Sequence, residues 1–207
     1  MKIVIVDYGM GNIRSITEAL NYLKVDSVKV SNKSFEIKSA DKLVLPGVGS
    51  YNEAMSIIRK FEIDKILQEE VLQNKKPILG ICLGMQLLCK SCTENSFTEG
   101  LGFIDVEVSE FSDLGLKIPH IGFNQVNSNS NSRLFKGIKS NCDFYFSHSF
   151  RVGKNQNFLE NLCCSSCNYN ENFIGAYEKD NIAGVQFHPE LSQSNGLKLL
   201  QNFIDFF

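Results

Sequence analysis

Residues Lys76–Lys90 read KPILGICLGMQLLCK, and the middle of this stretch decides the fold. Pro77, Ile78, Leu79 and Ile81 form a short apolar run suited to a buried strand. Leu83, Met85, Gln86, Leu87 and Leu88 then open a helix. Cys82 stands between the two, with Gly80 and Gly84 two positions away on either side. A strand that turns into a helix over so few residues needs glycine beside the turn, because a side chain would obstruct the backbone. With serine in the centre, the same G-x-S-x-G layout is a nucleophile elbow. Here the nucleophile would be a thiol, placed at a helix N-terminus where free N–H groups favour the thiolate. Buried core filler is the competing reading for any one of the seven cysteines. Cys82 alone has flanking glycines at a strand-to-helix junction.

Outward from the elbow, strands and helices alternate. Lys2–Val6 (KIVIV) reads as a buried strand, and Asn12–Lys24 as a helix with Ile13, Ile16, Leu20 and Leu23 on one face. Ser27–Val30 and Lys42–Leu45 read as strands, and Asn52–Gln73 as one or two amphipathic helices. This alternation implies an α/β fold with an open, mostly parallel twisted sheet flanked by helices. The second half differs. Phe103–Ser109, Asp143–Phe150, Phe173–Glu178 and Ile182–Phe187 read as strands with little helix between them, an antiparallel extension with a hairpin turn at Lys179–Asn181. Leu197–Phe207 closes the chain as a helix. The polar loop Asn127–Ser132 is too short to divide domains, so residues 1–207 read as a single domain.

Composition narrows the function classes. The 207 residues are enough for a full core. A net charge of −2 leaves no basic footprint for nucleic acid, and no apolar run approaches a membrane span. The N-terminus lacks a signal-peptide pattern, since its apolar run ends at Asp7. An odd number of irregularly spaced cysteines argues for a reduced, cytoplasmic protein. The pairs Cys89/Cys92 and Cys164/Cys167 have zinc-like spacing, but they lie far apart and Cys89 and Cys92 read as a continuation of the elbow helix. No metal and no cofactor are expected.

A cysteine nucleophile needs a base. Of the three histidines, His188 follows the strand Ile182–Phe187, with Glu190 two residues on. An i, i+2 pair leaving a strand points to one side, so Glu190 can orient the imidazole toward Cys82. Both Cys82 and His188 fall at the carboxyl ends of strands, where open parallel sheets place their sites. An acyl-transfer site also needs oxyanion donors. The N–H of Leu83 is one, and the loop Pro46–Gly49 after strand Lys42–Leu45 offers another at Val48 or Gly49. The competing readings are an incidental surface histidine and an ordinary strand-to-helix loop.

Taken in order, PGVG (Pro46–Gly49), GICLGMQ (Gly80–Gln86) and GVQFHPE (Gly184–Glu190) resemble the class I, or triad, glutamine amidotransferases. DYGMGN (Asp7–Asn12), KIPHIGFNQV (Lys117–Val126), YFSHSF (Tyr145–Phe150) and the closing GVQFHPELSQSNGLKLLQNF resemble more narrowly the glutaminase subunits of imidazole glycerol phosphate synthases. The resemblance covers essentially the whole chain. It implies a Cys82–His188–Glu190 triad that hydrolyses glutamine through a thioester. Val48, Gly49 and Leu83 would form the oxyanion hole, and Gln86, His148, Ser149 and Phe150 would bind glutamine. It also implies a (β/α)₈-barrel cyclase as heterodimeric partner, which receives the ammonia and whose binding reorganises the PGVG loop. Asn12, His120, Phe123, Tyr145 and Leu191 would face that partner.

Three positions depart from the family pattern. Phe123 stands where tryptophan is usual, Leu191 where lysine usually follows HPE, and Phe150 where tyrosine is frequent. Phenylalanine lacks the indole N–H, and leucine cannot form a lysine's salt bridge. The triad is untouched, so these changes bear on the partner. A paralogous subunit supplying ammonia to a surface-sugar amidotransferase is therefore a second expectation. A cysteine hydrolase or peptidase of similar fold is a third, and a non-catalytic subunit that only binds a partner is a fourth.

Overall fold

The structure is a computed structural model and describes residues 1–112, 115, 117–154 and 162–207. A parallel set of strands forms from the apolar runs of the first half: β1 (Lys2–Val6), β2 (Ser27–Ser31), β3 (Lys42–Leu45) and β4 (Ile78–Ile81). Between them lie α1 (Ile13–Tyr22), α2 (Ser34–Lys38), α3 (Tyr51–Lys60) and α4 (Ile63–Leu67). The span expected as one or two helices breaks at Glu62, which adopts a left-handed φ of 55°, and α4 runs on into a π-helical turn at Gln68–Gln73. The elbow helix α5 covers only Leu83–Leu87.

The second half supplies β5 (Cys89–Cys92), β6 (Thr98–Glu99), β7 (Ile104–Glu110), β8 (His120–Asn127), β9 (Cys142–His148), β10 (Phe150–Val152), β11 (Cys163–Tyr169), β12 (Glu171–Lys179) and β13 (Ile182–Val185). Helix α6 (Gln193–Phe206) closes the chain. The main sheet has the order β2-β1-β3-β4-β13-β12-β11-β8-β9. From β2 to β13 neighbouring strands are parallel, and from β13 to β9 they are antiparallel. The expected α/β sheet with an antiparallel extension is thus what the chain forms. A smaller sheet runs β10-β7-β5-β6.

One expectation is corrected. Cys89 and Cys92 do not continue the elbow helix; they begin and end β5, which pairs with β7 and β6. With β7 alongside, the apolar groups of this segment are buried by sheet pairing, and Cys89 and Cys92 are both fully buried. The other pair lies on β11. Among the described residues no group of three or more His, Cys, Asp and Glu is placed to hold a metal. None of the described helices is long and apolar enough to cross a membrane.

Two apolar clusters cover the two faces of the main sheet. One joins Val4, Val6, Leu43 and Leu45 to α3, α4 and α5; the other joins Ile3, Ile5, Val44 and Leu79 to α1 and α6. The alternation along β1 and β3 assigns successive side chains to opposite faces. Strand β4 is buried along its whole length and sits between β3 and β13. The elbow therefore emerges from the centre of the sheet, at its carboxyl end.

Candidate active site

At the end of β4, Cys82 adopts φ 53° and ψ −112°, a region that non-glycine residues rarely occupy. Holding it there costs about 1–3 kcal/mol, which the surrounding packing must supply. The flanking glycines serve by being small: neither is among the positive-φ residues. A Cβ on Gly84 would collide with the Leu45 carbonyl, and one on Gly80 would lie 2.7 Å from Met85 Cα. The strain falls on the cysteine, and the glycines let α5 settle onto β3 and β4.

Parallel pairing brings the base to the nucleophile. Ile81 is in register with Val185, and Cys82 N donates to the Val185 carbonyl at 2.8 Å. Beyond β13 the chain turns at Pro189–Leu191, where His188 N donates to the Tyr145 carbonyl at 2.8 Å. Ser192 Oγ donates to the His188 carbonyl at 2.6 Å and accepts from Tyr145 N at 2.9 Å, which ties the turn to β9. His188 Nδ1 lies 2.8 Å from Glu190 Oε1. Nε2 is left to meet the Cys82 sulfur, with which the ring interacts. Burial pulls the His188 pKa down, but hydrogen bonds and charge from Cys82 and Glu190 outweigh it and push the value up to about 10. The site favours an imidazolium between sulfur and carboxylate. Since α5 is barely more than one turn long, a helix dipole contributes little there.

A cavity of about 290 Å³ opens over Cys82. It is lined by Val48, Gly49, Leu83, Gln86, His148, Ser149, Phe150 and His188, so every residue expected at the oxyanion hole or the glutamine site borders one space. Glu190 stands behind His188, outside the lining. Gly49 has φ +98°, the backbone freedom the loop reading asked for. Glu94, Pro119 and Ser147 also line the cavity and were missed. Glu94 had no motif to mark it; its Oε2 accepts from Tyr51 N at 2.6 Å.

Two hydrogen-bond chains converge on the Phe150 carbonyl. Gln86 Nε2 donates to it at 2.9 Å and His148 Nδ1 at 2.8 Å. Because the acceptor is a carbonyl, His148 carries its proton on Nδ1. Its Nε2 then accepts from His120 Nδ1 at 3.0 Å, and His120 Nε2 accepts from Asn124 Nδ2 at 3.2 Å. Burial keeps both rings neutral: it pushes His120 down to about 4 and His148, helped by neighbouring cations, down to about 3.

The partner-facing expectation needs one correction. On β8 the side chains alternate, and His120 points inward with only 3% exposed. The residues that face out are Ile121, 60% exposed, and Phe123, 52% exposed. Phe123 is in register with Tyr145 on β9 and meets its ring edge-on at 5.5 Å. Leu191 is 40% exposed, while Asn12 and Tyr145 are half-buried. Ile121 was missed, although alternation from Phe123 would have found it.

A strained cysteine elbow beside a His–Glu pair, at the carboxyl end of a parallel sheet, is the architecture of a cysteine-dependent acyl-transfer enzyme. Comparison with known proteins narrows it. The family described as "Glutamine amidotransferase class-I" matches residues 4–206. "Imidazole glycerol phosphate synthase subunit HisH 1" of Campylobacter jejuni (strain RM1221) is 44% identical over 204 residues, covering 98% of both chains. "Imidazole glycerol phosphate synthase subunit HisH" of Escherichia coli (strain K12) is 40% identical over 205 residues, covering 99% of this chain and 100% of the relative. A solved structure described as a glutamine amidotransferase superposes with a TM-score of 0.76 at 16% identity, covering 98% and 97% of the two chains. The chain belongs to the class I glutamine amidotransferases.

Proposed function

We propose that this enzyme is the glutaminase subunit of an imidazole glycerol phosphate synthase. In this reading one domain, residues 1–207, carries the whole glutaminase site. The observation that carries the chemistry is the meeting of Cys82, His188 and Glu190 beside one small cavity. The Cys82 thiolate attacks the side-chain amide carbon of glutamine, and the carbonyl oxygen takes the negative charge. The Leu83 N–H and a backbone N–H of Val48–Gly49 donate hydrogen bonds to that oxyanion. His188 gives its proton to the amide nitrogen, the C–N bond breaks and ammonia leaves. His188 then takes a proton from water, whose oxygen attacks the thioester. Glutamate departs and the thiolate–imidazolium pair is restored. Glu190 keeps the proton of His188 on Nδ1 and supports its charge.

Both hydrogens of Gln86 Nε2 are committed within the chain, so its Oε1 is the atom offered to glutamine. Glu94 supplies a carboxylate for the α-ammonium group, and His148, Ser149 and Phe150 form the facing wall. Ammonia passes to a (β/α)₈-barrel cyclase that makes imidazole glycerol phosphate and AICAR in histidine biosynthesis, in the cytoplasm. The names of the relatives support a subunit of such a synthase. The exposed apolar side chains of Ile121 and Phe123 on one face of β8, and of Leu191 after HPE, support a docked partner. Cys82→Ala in the reconstituted complex is expected to abolish glutamine-dependent synthesis and to spare ammonia-dependent synthesis. Retained glutamine hydrolysis in that variant would end the reading.

Phe123 and Leu191 favour a second reading, in which the same chemistry feeds a surface-sugar amidotransferase. Reconstitution with a histidine-pathway cyclase at ordinary affinity would exclude it.

A further inference from the structure

Gln186 is fully buried, and no step of the proposed chemistry uses it. The parallel register of β4 and β13 pairs Ile81 with Val185, so the next residues along, Cys82 and Gln186, leave the sheet side by side. Gln186 Nε2 lies 3.8 Å from Cys82 Sγ. We infer that Gln186 is a further residue of the active site, donating an amide N–H to the Cys82 sulfur so that the thiolate is held by two donors, His188 and Gln186.

The inference depends on which end of the amide faces the sulfur, and the network decides that. The Phe150 carbonyl can only accept, so Gln86 must present Nε2 to it, at 2.9 Å. The second hydrogen of Gln86 Nε2 points at Gln186, which must answer with Oε1, also at 2.9 Å. Gln186 is left with Nε2 toward Cys82. Reversed, it would set two NH₂ groups against each other in space closed to water, leaving buried donors unpaired. Gln186 N is itself fixed, donating to the Gly175 carbonyl at 2.9 Å. The direction of the amide is thus set by a main-chain carbonyl two side chains away. As a thiol, Cys82 has the Ser147 carbonyl 3.7 Å away as an acceptor. As a thiolate it needs donors, and a neutral amide gives one without contributing a competing charge.

This inference rests on the reading of Cys82 as nucleophile, and its test does not require glutamine. Alkylation of Cys82 by iodoacetamide, followed residue by residue against pH by mass spectrometry, reads the sulfur directly in the full chain. Gln186→Met removes the donor at similar length. Gln186→Glu keeps an acceptor for Gln86 but sets a carboxylate against the sulfur, adding like-charge repulsion to the lost donor. In Gln186→Met the Cys82 midpoint is expected to rise by about one to two pH units, the range for one hydrogen bond to a charged group. The shift in Gln186→Glu should be the larger. Should either variant fail to fold, the unmutated chain carries the test by nuclear magnetic resonance. There the Gln186 side-chain N–H resonance is expected to titrate with the Cys82 alkylation midpoint and to lose that titration in Cys82→Ala. A folded Gln186→Met with an unmoved midpoint, or a Gln186 resonance indifferent to pH, overturns the inference. Neither result touches the glutaminase reading, which fails separately if a glutamine-mimicking electrophile does not modify Cys82.

Discussion

His188 Nδ1 lies 2.8 Å from Glu190 Oε1, and the carboxylate side chain is wholly withdrawn from solvent. The other carboxylate oxygen, Oε2, is buried and has no hydrogen-bond partner among the described residues. Glu190→Gln can still accept from Nδ1 through Oε1, keeping the ring's orientation while removing the charge, although its amide hydrogens at the Oε2 position meet no acceptor among the described residues. We expect glutamine hydrolysis in the complex to fall by about 10²–10⁴-fold, by analogy with neutralised triad carboxylates, with a somewhat lower thermal midpoint from the unpaired amide. Steady-state ammonia release checks this. Activity within a few-fold of the native enzyme would show that the carboxylate's charge is dispensable.

Gly84 touches the end of β3 so closely that no side chain fits. A Cβ there would overlap the Leu45 carbonyl, which belongs to the sheet backbone and cannot turn aside. Gly84→Ala is expected to destabilise the fold by about 1–3 kcal/mol or more and to displace Cys82. Urea unfolding and electrophile labelling measure the two effects.

The buried imidazoles make stability depend on acid. In the unfolded chain His120 and His148 bind protons near their ordinary value of about 6.5. In the folded chain burial delays that to about 4 and 3. Between those limits unfolding takes up protons, so stability falls as pH falls. Two such groups give a slope of at most about 2.7 kcal/mol per pH unit. Urea midpoints measured from pH 6 to pH 4 are expected to decline; nearer pH 7 His188, held up to about 10, contributes with the opposite sign. A flat profile would mean that the fold holds neither ring neutral.

Phe123 projects from β8 against Tyr145 and forms the largest exposed aromatic surface of the β8–β9 pair. If it anchors the partner, Phe123→Ala should weaken binding by about thirtyfold or more, as expected for a central aromatic. Titration calorimetry of the complex reads this directly. The free subunit should be unaffected in stability, since the ring packs on the surface.

The elbow was legible because it combines three local signals, an apolar strand, paired glycines and a helix start. His188 and Glu190 were legible from their i, i+2 spacing after a strand. What escaped depends on pairing between distant segments. Strand β11 reads CCSSCNY, with no apolar alternation, and exists because β12 and β8 flank it. Cys89–Cys92 looked helical by continuation from Leu83, yet β7 claims it as a strand. His120 looked like a surface residue until the β8 register turned it inward. Gln186 sat in plain view within GVQFHPE, but only the β4–β13 register sets it beside Cys82.

The central claim is that Cys82 is the nucleophile toward a glutamine side chain. Incubating the enzyme, with its partner bound, with a glutamine-mimicking electrophile and mapping the adduct by mass spectrometry tests it most directly. We expect a single adduct on Cys82, prevented by excess glutamine and absent from Cys82→Ala. The other six cysteines serve as internal controls, and burial pushes the thiols of Cys89, Cys164 and Cys167 up to about 12. No adduct on Cys82 with the partner bound, or one that glutamine fails to prevent, would contradict the claim.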